Sequence, residues 1–127
     1  MPPERPLAVL LISGTYERAH YAFVLAAGAA SVGRHVALFA TNAGCRALCR
    51  DWSALQDSAD DDVVRARGLA GFETLRDATI ELGVRLIACD AGLKASGIAP
   101  DALLPDVEVA GIATFLEAAG DGQMISF

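Results

Sequence analysis

The sequence predicts an α/β fold: a three-layer α/β/α sandwich around a mostly parallel sheet of about five strands. Two observations lead to this prediction. The apolar runs Leu7–Ile12 and Val84–Cys89 are continuous rather than alternating, which is typical of strands buried on both faces of a parallel sheet. Segments with helical periodicity separate such runs along the chain. The 127 residues, 54% of them hydrophobic, suit one domain spanning residues 1–127.

The first predicted unit is a strand followed by a helix. The strand Leu7–Ser13 is an apolar run that stops at Gly14. The helix covers Tyr16–Val32, because small and apolar residues recur there at helical spacing, and Thr15 or Ser13 can cap its start.

The second unit is less regular. A short strand is predicted at His35–Phe39, followed by a loop at Thr41–Gly44 and a short helix at Cys45–Trp52. The acidic segment Asp51–Arg67 has little periodicity, so we expect a solvated, mobile connection there.

The third unit brings a helix to a strand that ends in cysteine. The helix Gly71–Leu82 is amphipathic, and the strand Val84–Cys89 follows it. Asp90 is then placed to cap a short helix, Ala91–Ser96.

The last part of the chain completes the sheet. Ile98–Pro105 is expected to be a loop, because proline and glycine flank it. A brief strand at Val107–Ala110, a helix at Ile112–Ala118 and a final strand at Gln123–Phe127 follow.

Charge and cysteine content disfavour several classes of function. The net charge of −6 opposes binding to nucleic acid or to anionic membranes. Apolar runs are too short to span a bilayer, and the start of the chain lacks a basic stretch followed by an apolar one, so we expect a cytoplasmic protein. Three cysteines, an odd number, fit reduced thiols, and no metal or organic cofactor is predicted.

Cys89 is the main candidate for chemistry. It ends a predicted strand immediately before a helix, where free backbone amides and the helix dipole favour a thiolate. Asp90 opposes a second negative charge, and Lys94, one turn later, can offset that effect. The alternative is that Cys89 is a small apolar residue at the end of a buried strand.

Two further groups of residues are weaker candidates. Cys45 and Cys49 lack the two-residue gap of zinc and thioredoxin sites, but Cys45 is a candidate second surface thiol near Cys89. A redox pair between Cys89 and either of them requires Cα atoms within about 7 Å. The segment Ser13-Gly14-Thr15 can hold a small anion on its amides, or simply cap the first helix.

Three segments, in this order, resemble the DsrE/DsrF-like sulfur-relay proteins, which include the TusD type of persulfide carrier. They are the first strand–helix–strand unit from Ser13-Gly14 through Ala26–Ala30 to Gly33–Phe39, the cysteine segment Leu86–Ile98, and the closing strand and helix Val107–Glu117. The likeness leaves out the N-terminal tail and the acidic connection Asp51–Arg67.

The resemblance implies a flavodoxin-like fold and cytoplasmic homo-oligomers, often trimers or hexamers. It also implies transfer of sulfane sulfur through a persulfide on Cys89, which matches the family's cysteine. The implied partners are TusA-like or rhodanese-like sulfur-transfer proteins. A competing hypothesis is a noncatalytic, homo-oligomeric module that binds a small anion or ligand while Cys89 stays buried.

Overall fold

The computed structural model describes residues 5–127, in which five parallel strands form one sheet. The strands are β1 (Leu7–Leu11), β2 (Val36–Ala40), β3 (Arg85–Cys89), β4 (Glu108–Ala110) and β5 (Gln123–Ser126), in the order β4-β3-β2-β1-β5. The helices are α1 (Tyr16–Ser31), α2 (Asp60–Ala66), α3 (Phe72–Glu81), α4 (Asp90–Ala95) and α5 (Ile112–Ala119). The predicted α/β class is confirmed, and each predicted strand is present.

The register of the strands divides their side chains between two faces. One face, here called the helix-pair face, is covered by α1 and α3, which pack against each other. The other, the α5 face, carries Ala8, Phe39, Ile87 and Cys89 and is covered by α5 alone. All crossovers from β1 to β4 run in one direction across the sheet, and only the return to β5 runs in the other, which explains the unequal layers.

The segment after β2 differs from the prediction. The helix predicted at Cys45–Trp52 is instead a 3₁₀ helix at Asn42–Leu48. Its start is held against the end of β1, where the Gly44 amide donates to the Ile12 carbonyl at 3.0 Å. Its end is held because Cys49 forms an isolated antiparallel bridge with Leu103. These distant contacts override the local helical periodicity.

The acidic connection is more ordered than predicted. It contains α2, and Asp61 within that helix is 5% exposed. The Asp61 carboxylate accepts hydrogen bonds from the Tyr16 hydroxyl at 2.5 Å and from the Phe72 amide at 2.8 Å. The expectation of a solvated connection over Asp51–Arg67 is therefore wrong for Asp61, which satisfies the first amide of α3.

No helix within residues 5–127 is long and apolar enough to cross a bilayer.

Candidate functional site around Cys89

Cys89 lies at the carboxyl end of β3 and is itself the N-cap of α4. Its backbone is extended, with φ −69° and ψ 121°, and its Sγ accepts a hydrogen bond from the Gly92 amide at 3.3 Å. The prediction that Asp90 caps this helix is wrong: Asp90 is its first residue. Because β3 ends at Cys89, this residue is the N-cap of α4, and its sulfur is the capping atom. A backbone N–H directed at the sulfur stabilises negative charge on it.

Cys89 is less accessible than the sequence suggests. The residue is 8% exposed and packs on the α5 face with Phe39, Ile87 and Phe115. Ala110 of β4 lies opposite it in the sheet register. Cys89 is therefore a mostly buried thiol, because α5 covers this part of the sheet.

The first turn of α4 is fixed by close contact with the loop after β2. A Cβ atom on Gly92 would overlap the Thr41 Oγ1 and the Asn42 amide nitrogen. Only glycine leaves room for this approach. The contact holds the Gly92 amide in place, and that amide is the donor to the Cys89 sulfur.

Asp90 and Lys94 form a surface ion pair on α4, with 3.4 Å between Lys94 Nζ and Asp90 Oδ2. Both side chains are largely exposed. The pair places the Lys94 charge beside the Asp90 carboxylate, and its effect on the thiol stays a prediction. Exposed pairs of this kind contribute little to stability, so the effect of Lys94 is on local charge.

Ser13, Gly14 and Thr15 follow β1 at the same edge of the sheet, but the loop after β2 separates them from α4. A Cβ on Gly14 would lie 2.6 Å from the Ala43 Cβ, so the two loops touch. Most amides here already have partners: the Thr15 amide donates to Ser13 Oγ at 3.1 Å, and the Tyr16 amide to the Gln56 carbonyl at 2.8 Å. Thr15 is the N-cap residue of α1 by position, but its side chain forms no capping hydrogen bond with the helix.

Cys45 is not a surface thiol. It is fully buried in the core of the helix-pair face, and its Sγ donates to the Ala40 carbonyl at 3.4 Å. Burial raises the pKa of Cys45 from about 9 to about 11, with a further contribution from the nearby Cys89. The Cys45 and Cys89 side chains belong to cores on opposite faces of the sheet. All three cysteines are free thiols, and a redox pair between Cys89 and Cys45 or Cys49 stays a prediction.

Sequence reasoning missed Arg76, which holds the 3₁₀ segment in place. The side chain is 3% exposed, and its Nη1 donates to the carbonyls of Ala47 and Cys49. Its guanidinium carbon also lies 5.6 Å from the centre of the Phe72 ring. The available signal was its position: Arg76 shares one face of α3 with Phe72 and Thr79, both fully buried.

Several large apolar side chains remain exposed around the α5 face. They are Ile12 after β1, Ile112 and Leu116 on α5, and Met124 of β5, which is opposite Ala8 in the register. Leu116 is 53% exposed. Others, among them Tyr21, Val32 and Leu82, are exposed elsewhere on the chain, so exposed apolar side chains are not confined to this face.

Within residues 5–127, no group of three or more His, Cys, Asp or Glu side chains is arranged to hold a metal ion.

A family model for DsrE/DsrF-like proteins matches residues 7–127 of this chain. The chain belongs to the DsrE/DsrF-like family. Membership confirms the family resemblance predicted from the three sequence segments, while assignment to the TusD type stays a prediction.

One relative and two solved structures are similar to this chain. The uncharacterized protein YrkE of Bacillus subtilis is 23% identical, over 94% of each chain. The structure of the YchN protein from E. coli is similar with a TM-score of 0.74 at 12% identity, covering 97% of this chain and 99% of that one. MTH1491 from Methanobacterium thermoautotrophicum, a protein of unknown function, gives 0.60 at 20% identity, covering 98% and 100%. At these identities the likeness of the structures concerns the fold alone.

Proposed function

We propose that this DsrE/DsrF-like protein is a cytoplasmic sulfur-relay protein that carries sulfane sulfur as a persulfide on Cys89. The observation that carries the proposal is the position of the sulfur at the N-terminus of α4, where it accepts the Gly92 N–H. A carrier needs a thiolate that can attack a donor sulfur and a persulfide that can be attacked in turn. The backbone donor is directed at the Cys89 Sγ and stabilises the attacking thiolate.

The loading step is a simple exchange at sulfur. The Cys89 thiolate attacks the terminal sulfur of a donor persulfide, R–S–S⁻, and a new S–S bond forms as the old one breaks. The products are Cys89–S–S⁻ and R–S⁻, so the electron pair of the broken bond leaves with the donor. Unloading is the same step with an acceptor thiolate. Neither step requires a metal or an organic cofactor.

The surroundings of Cys89 support protein partners rather than diffusing small substrates. Ile12, Ile112 and Leu116 surround the α5 face with exposed apolar surface. We propose that part of this surface joins copies of the chain in a homo-oligomer, a trimer or hexamer, and that the edge at Cys89 receives a TusA-like or rhodanese-like protein. The ion pair of Asp90 and Lys94 lies at that edge.

Mass spectrometry after incubation with a persulfide-loaded rhodanese tests the proposal. The peptide containing Cys89 is expected to gain the mass of one sulfur atom, and the gain is expected to be absent in Cys89→Ser. Asp90→Asn is a useful companion, because removing the adjacent carboxylate is expected to speed loading. A folded protein whose Cys89 stays unmodified at every donor concentration would contradict the proposal.

The low exposure of Cys89 favours a second candidate, a noncatalytic oligomeric module that binds a small ligand at the edge of the sheet. Thiol labelling at neutral pH separates the two. A relay requires Cys89 to react in the folded protein, whereas a module with a sealed thiol reacts only as fast as the protein unfolds. Cys45, which is fully buried, provides the reference for the unfolding-limited rate in the same sample.

A further inference from the structure

An apolar groove runs along α1 beside β5, a strand at the edge of the sheet. Tyr21, Leu25, Gly28 and Val32 line its helical side, and Ile125 of β5 lines the other. The helix rises about 16 Å between Tyr21 and Val32, and the volume of the groove is about 430 Å³. A site of this size accommodates a small molecule. Strands β1 and β2 lie between β5 and β3, so the groove is separate from the thiol site at the end of β3.

Gly28, in the middle of the helical side, is not explained by the fold itself. Its φ lies outside the left-handed region, and a Cβ atom added there would have no neighbouring atom within 4 Å. Neither a turn nor the close approach of another segment therefore requires glycine at this position. Glycine inside a helix lowers its stability relative to alanine, because glycine loses more conformational freedom on folding. A glycine that keeps the groove open fits the approach of a ligand to the helix backbone.

A single positive charge lies at one end of the groove. Arg34, two residues after Val32, is the one charged residue among residues 5–127 that lines it. Its Nε donates to the Arg5 carbonyl at 2.9 Å, and its Nη2 donates to the Pro6 carbonyl at 3.4 Å. None of the ion pairs formed within the described part of the chain involves Arg34. The charge of Arg34 is therefore available to an anionic ligand, and carboxylates are anions that arginine binds well.

We propose that the groove binds a free medium-chain fatty acid, with the acyl chain against α1 at Gly28 and the carboxylate paired with Arg34. An apolar surface with a cation at one end complements a ligand that is apolar along its length and anionic at one end. The net charge of −6 opposes contact with an anionic bilayer, which favours a free fatty acid over a membrane lipid. The inference goes beyond the proposed function and does not depend on Cys89.

Isothermal titration calorimetry of the full chain with decanoate, below its micelle concentration, tests the inference. We expect saturable binding of one decanoate per chain. Arg34→Gln is expected to weaken decanoate binding about tenfold, because it removes the charged partner of the carboxylate, and to leave binding of the neutral alcohol decanol unchanged. Arg18→Gln, which removes an exposed arginine of α1 that does not line the groove, is the matched control. No saturable binding by wild type, or equal affinities of the two arginine variants for decanoate, would overturn the inference.

Gly28 variants test the position of the acyl chain. Gly28→Ala is expected to raise the melting temperature slightly, since its Cβ meets open space, and to weaken decanoate binding several-fold by occupying part of the groove. Gly28→Leu is expected to abolish binding. Circular dichroism shows whether each variant is folded, and Gly28→Ala keeps the test valid if the larger side chain disturbs α1.

Two results with the Gly28 variants and wild type would contradict the inference. One is a folded Gly28→Ala protein that binds decanoate as tightly as wild type. The other is a wild-type affinity for decanoate that falls as the protein concentration rises, because a second copy of the chain would then be filling the groove.

Discussion

The two faces of the sheet carry different kinds of core. On the helix-pair face, α1 and α3 enclose large side chains such as Phe23 and Phe72, whose rings meet edge to face at 5.3 Å. On the α5 face, one helix stacks Phe115 on Phe39 and leaves Ile112 and Leu116 half or more exposed. The helix-pair face holds both thiols with a raised pKa, Cys45 and Cys49, and the α5 face holds Cys89. The first core is enclosed by two helices, whereas the second leaves apolar side chains exposed.

The largest expected effect on stability comes from removing a large side chain from the core of the helix-pair face. Phe23 is fully buried, and Phe23→Ala is expected to lower the free energy of unfolding by about 3–5 kcal/mol, because it leaves a cavity in a tightly packed core. Urea denaturation followed by circular dichroism measures the change. A loss below about 1 kcal/mol would mean that the core of the helix-pair face is not the main source of stability.

The next largest effect on stability is expected at Asp61, which joins α2 to the helix-pair face. Burial alone would raise its pKa, but hydrogen bonds from Tyr16, Phe72 and Arg65 hold it below its ordinary value. The stabilisation from Asp61 is therefore present above its unfolded pKa of about 3.9 and is lost as the pH falls through the lower folded value. Asp61→Asn is expected to cost about 1–3 kcal/mol at neutral pH and to flatten the acid limb of the stability curve.

The control for Asp61 is its neighbour. Asp62 has a 77% exposed side chain and pairs only with Arg65 at the surface. Asp62→Asn is expected to leave the acid limb unchanged, and equal effects of the two variants would contradict the assigned role of Asp61.

Cys45, in the core of the helix-pair face, is expected to make the stability of the protein decrease at alkaline pH. Its folded pKa of about 11 lies above the ordinary value of 9, so its contribution to stability is present below pH 9 and is lost as the pH rises toward 11. The slope in this window is roughly 1 kcal/mol per pH unit. Cys45→Ser is expected to reduce that slope in thermal or urea unfolding.

Burial also raises the pKa of Tyr16, which therefore contributes to the alkaline slope as well. Because that contribution is the same in wild type and in Cys45→Ser, the difference between the two slopes measures the effect of Cys45. An unchanged slope in Cys45→Ser would show that the thiol ionises as easily in the folded chain as in the unfolded one.

The smallest effect on stability is expected on the α5 face. Leu116→Ser should change the free energy of unfolding by less than about 0.5 kcal/mol, since the side chain is exposed in the single chain. It is expected to reduce the size of the assembly in sedimentation velocity. Leu82→Ser, at the end of α3 and 47% exposed, is the matched control and should leave the assembly unchanged. Dissociation by both variants alike would remove the distinction between the faces.

The strands were predictable because their signal is local. A continuous apolar run such as Leu7–Leu11 specifies a doubly buried strand without knowledge of its neighbours. The position of Cys89 at the end of a strand was predictable for the same reason. The carboxyl ends of parallel strands lie together at one edge of the sheet.

The features that the sequence concealed depend on distant partners. Asp61 is buried by Tyr16, 45 positions away, and the 3₁₀ segment is shaped by the carbonyl contacts of Arg76, 27 positions from Cys49. The accessibility of Cys89 depends on where α5 crosses the sheet, which no local pattern specifies. A run of charged residues, or a single arginine, gives the same sequence pattern whether its side chains are solvated or buried.

Cyanolysis of a variant that keeps Cys89 as its sole cysteine, with Cys45 and Cys49 changed to serine, measures sulfur carriage most directly. The protein is loaded by a persulfide donor, freed of that donor and treated with cyanide, which removes the outer sulfur of a persulfide as thiocyanate and returns the thiolate. We expect thiocyanate in stoichiometric proportion to the chain, and none once Cys89 is also replaced by serine. No thiocyanate from the folded, donor-treated single-cysteine protein would contradict a sulfur carrier at this position.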